Sequence, residues 1–391
     1  VNEMIPVKYT IRNLQARWVT TALTAFGTGL VVWASVLSFG LSAGLRQALT
    51  ISADALDIVC LRKGSLDEVS SGIDKQTADR VSTLQGVALD DTGHPLVSPE
   101  FVITVMKPRR GDNGTTNLMV RGLKPEGWKL RPGFRILPGG REPEPGKFEA
   151  ITSERIAERF ENTAIGEKLR ISNMDFSVVG YFEADGCAAE SEVWTDLRDL
   201  TTVRKSEGFV SSVCLRARDE SAQRNLIQQL KEDELFDLKA VTESEFFKEQ
   251  MMTADAIQGV GFFIALFLTI GAMFAAANTM YAAVAGRARE IGTMRALGFS
   301  RTSILAAFLL ESVLLCLLGG LLGCLATVPF NGYSTGAANF QTFSEMTFSF
   351  RFGPQVLLQG VLLALSMGVI GGLFPAVRAV RLNVLQALRD V

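Results

Sequence analysis

The sequence predicts an α-helical integral membrane protein with four transmembrane helices, plus a large α+β extracytoplasmic domain on a helical stalk between helices 1 and 2. Three observations lead there: four uncharged stretches, one long polar insertion, and a lopsided distribution of Lys and Arg. No charged residue occurs in residues 18–45, 256–286 or 352–377, and residues 302–330 carry only Glu311. A helix rising about 1.5 Å per residue crosses a hydrocarbon core of roughly 30 Å in about 20 residues, so each stretch is long enough. A chain that is 48% hydrophobic fits a membrane protein better than a soluble one.

Orientation comes from the short loops. Lys8, Arg12 and Arg17 precede the first stretch, Arg287, Arg289, Arg295 and Arg301 separate the second from the third, and Arg378, Arg381 and Arg389 follow the fourth. The remaining short loop, residues 331–351, holds one Arg and one Glu. The positive-inside rule makes both termini and the loop at 287–301 cytoplasmic, which leaves 46–255 and 331–351 outside, as expected at a cell inner membrane. Residues 46–255 carry 28 Lys and Arg against 36 Asp and Glu, whereas the rest of the chain has 11 against 5. Its basic cytoplasmic rim suits anionic headgroups, and a net charge of −2 gives no footprint for nucleic acid.

Taken in order, residues 1–17 place Val7, Ile11 and Leu14 at helical spacing around Lys8 and Arg12, the pattern of a short amphipathic cytoplasmic lead-in. Helix 1, residues 18–45, is too long for a signal-peptide core of about 7 to 15 residues and reads as an uncleaved anchor. The insertion at 46–255 alternates strand-like runs (57–61, 101–106, 117–121, 168–171, 176–182, 212–215) with helical patterns (73–84, 153–160, 220–230), hence an α+β domain. Residues 132–147, dense in Pro and Gly, are expected to be an irregular loop. From residue 244 no Gly or Pro interrupts the chain before Gly259, so a helix from 244 to 285, roughly 60 Å long, forms the stalk and helix 2 at 256–286. Helix 3 covers 302–330, an extracytoplasmic loop 331–351, helix 4 352–377, and a cytoplasmic tail 378–391.

Catalytic chemistry finds little support. His94 is the single histidine, followed by Pro95, and no G-x-x-x-x-G-K-[ST] phosphate loop occurs. Cys60, Cys187 and Cys214 fall outside, with no spacing that suggests zinc or a disulfide framework, and Cys316 and Cys324 fall in helix 3. We therefore expect a non-catalytic protein that binds no cofactor or metal itself.

Small residues four apart, Gly40 and Gly44, Gly319 and Gly323, and Gly368 and Gly372, permit close helix approach, and Pro375 is expected to kink the inner end of helix 4. Asn278 and Glu311 are polar groups within the spans; Glu311 is expected to face the bundle or a partner rather than lipid. The cytoplasmic loop carries the densest motif, NTMYAAVAGRAREIGTMRALGFSR from Asn278 to Arg301. Residues 290–297 form a helical pattern with Ile291, Met294 and Leu297 on one apolar stripe; Gly298 is placed to end it and Ser300 to cap helix 3.

At this motif the chain resembles the permease subunits of MacB-type, LolC/LolE-type and FtsX-like ABC transporters. Asn278, Thr279, Arg287, Arg289, Glu290, Ile291, Gly292, Arg295, Ala296, Leu297 and Gly298 match the family pattern, as do Glu311, Gly319, Gly320 and Gly323, Gly371, Pro375 and Ala376, and the terminal Gln386 to Arg389. Asn383 and Val384 stand where relatives commonly have a Pro. The resemblance implies a permease of an ABC transporter, dimeric with a second permease subunit, whose ATP and Mg are bound by a separate cytoplasmic ATPase. It implies that Arg287, Arg289, Glu290, Ile291, Gly292, Met294, Arg295, Leu297 and Gly298 form the coupling element for that subunit. The work implied is export or extraction of a lipid, lipoprotein, drug or peptide, with a membrane-fusion protein or outer-membrane channel as further partner. The alternative is an FtsX-like scaffold that activates a cell-wall hydrolase without transport.

Overall fold

Four helices are long and apolar enough to cross a membrane in a computed structural model of the protein: Trp18–Ile51, Gln258–Ala285, Arg301–Phe330 and Pro354–Val380. The structure describes residues 18–381 apart from 53, 112, 113, 132, 251, 340, 341 and 343, together with 12, 15 and 16. The expected lead-in at 1–17 and the tail beyond 381 thus lie largely outside the described residues. The chain divides into two compact units: Val1–Ala43, Ala256–Gly332 and Phe350–Val391 form one, Gly44–Asp255 and Tyr333–Ser349 the other.

Helix α1 (Trp18–Ile51) runs past the expected end at residue 45. The insertion then forms β1 (Asp57–Arg62), β2 (Ile73–Asp74), α2 (Lys75–Val81), β3 (Val97–Pro108), β4 (Thr115–Leu123), α3 (Pro125–Lys129), β5 (Phe134–Ile136) and β6 (Glu149–Thr152). It continues through α4 (Glu154–Arg159), β7 (Lys168–Ile171), β8 (Met174–Ala184), β9 (Glu192–Asp196), α5 (Leu197–Arg204), β10 (Phe209–Val210), β11 (Ser212–Arg216), α6 (Glu220–Glu232), β12 (Leu238–Thr242) and α7 (Glu243–Gln250). The helices start where short polar side chains cap free N–H groups: Asp74 accepts from Thr77, Ser153 from Ile156 and Asp219 from Ala222.

Ten strands make one sheet in the order β12-β1-β11-β3-β4-β9-β6-β8-β5, with β7 on β8. Its centre is buried on both faces. Ile58 and Cys60 of β1 face a cluster with Leu226 and Leu230 of α6, while Val59 and Leu61 face another with Phe246 of α7. Farther along, Trp194 stacks on Phe182 with ring centroids 4.5 Å apart, and Phe134 stacks on Trp194 at 5.4 Å. That contact corrects the expectation of an irregular loop at 132–147: Phe134–Ile136 pairs with β8, because the buried aromatic stack holds it there.

The membrane unit continues with α8 (Met252–Ala285), α9 (Ala288–Ala296) and α10 (Arg301–Thr327). The hairpin β13 (Ser334–Ala338) and β14 (Glu345–Ser349) follows, then α11 (Pro354–Val380). Where one helix from 244 to 285 was expected, the structure describes α7 up to Gln250 and α8 from Met252, and residue 251 lies outside the described residues. At the outer ends of α1 and α8, Arg46 pairs with Asp255. The hairpin, expected as a plain loop, belongs to the outer unit.

Close approach explains the small residues of helix 3. A Cβ on Gly319 would sit 2.4 Å from the Ala25 carbonyl and one on Gly323 2.5 Å from that of Gly29, so α10 meets α1 backbone to backbone. Gly368 and Gly372 bring α11 onto Val313 and Ser312 of α10 in the same way. Gly40 and Gly44 differ from the expectation of helix packing: they make room for the Phe352 ring and the Ser349 carbonyl. Pro375 is buried within α11, which continues past it without a break.

Candidate coupling site

The loop between α8 and α10 folds as the short helix α9, buried along one side. Ile291 and Met294 pack into a cluster with Met280 and Val284 of α8, Ile304 and Phe308 of α10, and Ala376 and Ala379 of α11. After Ala296 the chain closes a Schellman turn: Gly298, at φ +97°, donates to the Arg295 carbonyl at 3.2 Å, and Phe299 to that of Met294 at 3.1 Å. Only Gly adopts that backbone readily. Ser300 then caps α10 by accepting from Ser303 N at 3.1 Å.

Arg287 anchors the other end. Its side chain is 6% exposed, its guanidinium lies 5.2 Å from the centre of the Phe308 ring, and its Nη1 donates to Glu311 Oε2 at 3.1 Å. Arg287 Nε also reaches Glu290 at 3.2 Å. Two apolar-buried charges thus satisfy each other across α9 and α10, and Glu311 faces the bundle as expected. Both residues stand out in the sequence, but nothing in their 24-residue separation says that they meet. Asn278 is not brought to this pair; it lies on the exposed side of α8.

The expected apolar stripe is incomplete. Leu297 is 74% exposed, since it is the last residue before the turn and points away from the cluster that holds Ile291. With Arg289, Glu290 and Thr293 it leaves a mixed apolar and charged outer face on α9, whereas Gly292 is buried and Arg295 half-buried. Such a face suits a protein surface better than lipid. Arg378 completes the rim, its guanidinium 5.5 Å from the Tyr281 ring centre.

With that geometry in place, comparison with known families is decisive. A family model described as MacB-like periplasmic core domain matches residues 21–233, and one described as FtsX-like permease C-terminal matches residues 262–384. The chain belongs to the family of MacB-like and FtsX-like ABC transporter permeases. It is similar to a macrolide export ATP-binding/permease protein MacB of Photorhabdus laumondii, 27% identical over 58% of this chain and 36% of that one. The corresponding protein of Bdellovibrio bacteriovorus is 25% identical over 100% of this chain and 62% of its own length. The chain thus spans less than two thirds of the curated relatives it matches. A crystal structure of the periplasmic region of MacB from Actinobacillus actinomycetemcomitans aligns with 51% of this chain and 94% of its own, at 12% identity and a TM-score of 0.38.

Proposed function

We propose that this chain is the membrane component of an ABC exporter, and that a cytoplasmic ATPase subunit docks on the outer face of α9. The Arg287–Glu311 pair carries this reading: a loop helix keyed by a buried ion pair to α10 passes a push into the bundle rather than bending under it. In this reading ATP and Mg are bound by that ATPase and not by the residues of α9. Closure of the ATPase around ATP supplies the differential binding that shifts the permease between two states. The apolar outer faces of α1 and α8, including Leu23, Phe26, Phe263, Phe267 and Phe274, suit a second permease subunit.

Relatives named for macrolide export favour transport of a hydrophobic compound over hydrolase signalling. In this reading the outer domain acts on substrate beyond the inner membrane, directly or through a membrane-fusion protein, and both termini are cytoplasmic. Purified alone, the protein hydrolyses no ATP; with its cognate ATPase it forms a complex that Leu297→Asp or Glu290→Lys weakens at least several-fold. Full co-purification and full stimulated hydrolysis with both variants would show that α9 is not the docking element.

A further inference from the structure

A cavity of about 60 Å³ lies within the outer unit, walled by Val59 of β1, by Glu243 of α7, and by Thr342 and Ser344 of the β13–β14 hairpin. Arg131, two residues past α3, lines it as well. The Arg131 side chain is 9% exposed. Its Nη2 donates to both oxygens of Glu100, at 3.0 and 2.8 Å, while its Nη1 is buried and meets no acceptor on the protein. A buried guanidinium N–H with nothing in place of its water suffers the full desolvation penalty, so a native fold supplies it with an acceptor. Glu243 brings a second donor. One of its oxygens accepts the Asp54 N–H at 2.9 Å, and burial pushes its pKa up to about 8, so at neutral pH the carboxyl keeps an O–H. The hydroxyls of Thr342 and Ser344, 2.7 Å apart, add groups that can accept.

Charge and size decide what fits there. Arg121 bonds to Glu68, Glu100 and Glu192, Arg131 to Glu100, and Glu345 is held by Arg109 and Arg159. These four guanidinium groups balance four ionised carboxylates, and the protonated Glu243 leaves the sum at zero. An ion of either sign inside the cavity would therefore carry an uncompensated charge among buried groups, which is strongly unfavourable. Sites for drug-sized ligands run from roughly 300 Å³ upward, so such a molecule does not fit either. Water fits on both counts. It is neutral, it both accepts and donates, and at roughly 30 Å³ per molecule about two fill the space.

We propose that this cavity is a hydration site of the outer domain, in which two ordered water molecules accept from Arg131 Nη1 and from Glu243 and donate to the hydroxyls of the wall. The waters extend the hydrogen-bonded series that runs from Arg121 through Glu100 to Arg131, so that the Arg131 guanidinium is bonded on both of its free ends. Extra hydrocarbon in this space would weaken the domain by expelling the acceptor of a buried donor. In a dry apolar cavity the same addition would strengthen it.

Two measurements on the full chain test this. Crystals grown in sodium bromide, with data collected at the bromine absorption edge, should show two separate peaks in the cavity, one within about 3 Å of Arg131 Nη1, and no anomalous signal there. A bromide peak, the elongated density of a co-purified molecule, or a cavity without density overturns the hydration site. The second measurement is thermal unfolding of Val59→Ile, which adds one methylene to the wall, in the natural chain and in an Arg131→Met background where Glu100 keeps its 2.6 Å bond to Arg121. In the natural chain Val59→Ile should lower Tm by on the order of 2 °C, because water is expelled from a buried donor. With Arg131→Met that loss should shrink by more than half. A rise in Tm in the natural chain would mark a dry cavity and an equal fall in both backgrounds a plain steric clash, and either result overturns the proposal.

Discussion

The Glu243 carboxylate accepts the backbone N–H of Asp54 at 2.9 Å, joining the first residue of α7 to the turn that follows α1. It is 3% exposed. Burial pushes its pKa up to about 8, with the charges of Asp57 and Glu100 adding to the rise against the pull of Arg131 and the Asp54 N–H. The folded protein therefore holds this proton between about pH 4.5 and 8, where the unfolded chain has released it. Stability contributed by the neutral carboxyl is full at low pH and is lost as pH rises through that window.

Thermal unfolding of the purified protein, followed by tryptophan fluorescence, should accordingly show Tm falling on the order of 5 °C from pH 5.5 to 8.5. Glu243→Gln, which keeps the shape and removes the titration, should flatten that slope. An unchanged slope would mean that Glu243 is not the group responsible. Glu68 acts in the opposite direction at acid pH: burial alone raises it, but the charge and hydrogen bonds of Arg121 outweigh burial and hold it at about 2. Its contribution is kept above pH 4.5 and lost as pH falls toward 2.

Breaking the Arg287–Glu311 pair on one side strands a buried charge. Arg287→Met or Glu311→Leu should each destabilise the membrane unit by about 3–5 kcal/mol, whereas Arg287→Met with Glu311→Leu should recover most of that loss. Detergent melting curves of the four proteins form a double-mutant cycle. Additive losses would show that the two groups do not support each other. If α9 is the docking element, the double variant melts normally yet responds weakly to the ATPase.

Helix approach separates two glycines of similar appearance. Gly319→Ala places a methyl group against the Thr28 hydroxyl and 2.4 Å from the Ala25 carbonyl oxygen, and should lower the yield of folded protein markedly, since the backbone of α1 cannot give way as a side chain could. Gly271→Ala meets nothing within 4 Å and should leave yield unchanged. Size-exclusion profiles of both variants decide the matter.

Orientation is open to direct measurement. The native cysteines are buried, so an introduced thiol reports without background. In sealed spheroplasts Glu207→Cys should react with an impermeant maleimide and Thr293→Cys should not. Labelling of Thr293→Cys alone would invert the topology.

The four apolar helices and the short helix α9 were legible because charge and helical period are local properties. The same holds for strands such as Asp57–Arg62, whose apolar run needs no partner to be seen. Strand Glu192–Asp196 was not legible: EVWTD opens on an acid, and only Arg121, 71 residues away and bonded to Glu192 at 2.6 Å, makes that acid an interior residue. Glu345 escaped for the same reason, as Arg109 and Arg159 lie 236 and 186 residues before it. Both residues of the Arg287–Glu311 pair were singled out separately, while their meeting depends on how α9 folds back toward α10.

The order of the sheet also bears on biosynthesis. Ile58 of β1 lies between Leu215 of β11 and Thr242 of β12, and Arg109 and Arg159 wait for Glu345. A nascent chain emerging from its N-terminus exposes the apolar faces of β1 long before their neighbours exist. Because the hairpin follows α10 in the chain, Arg109 and Arg159 gain their Glu345 partner only after α10 has been synthesised, so this ion-pair cluster is the last part of the domain to be completed during translation.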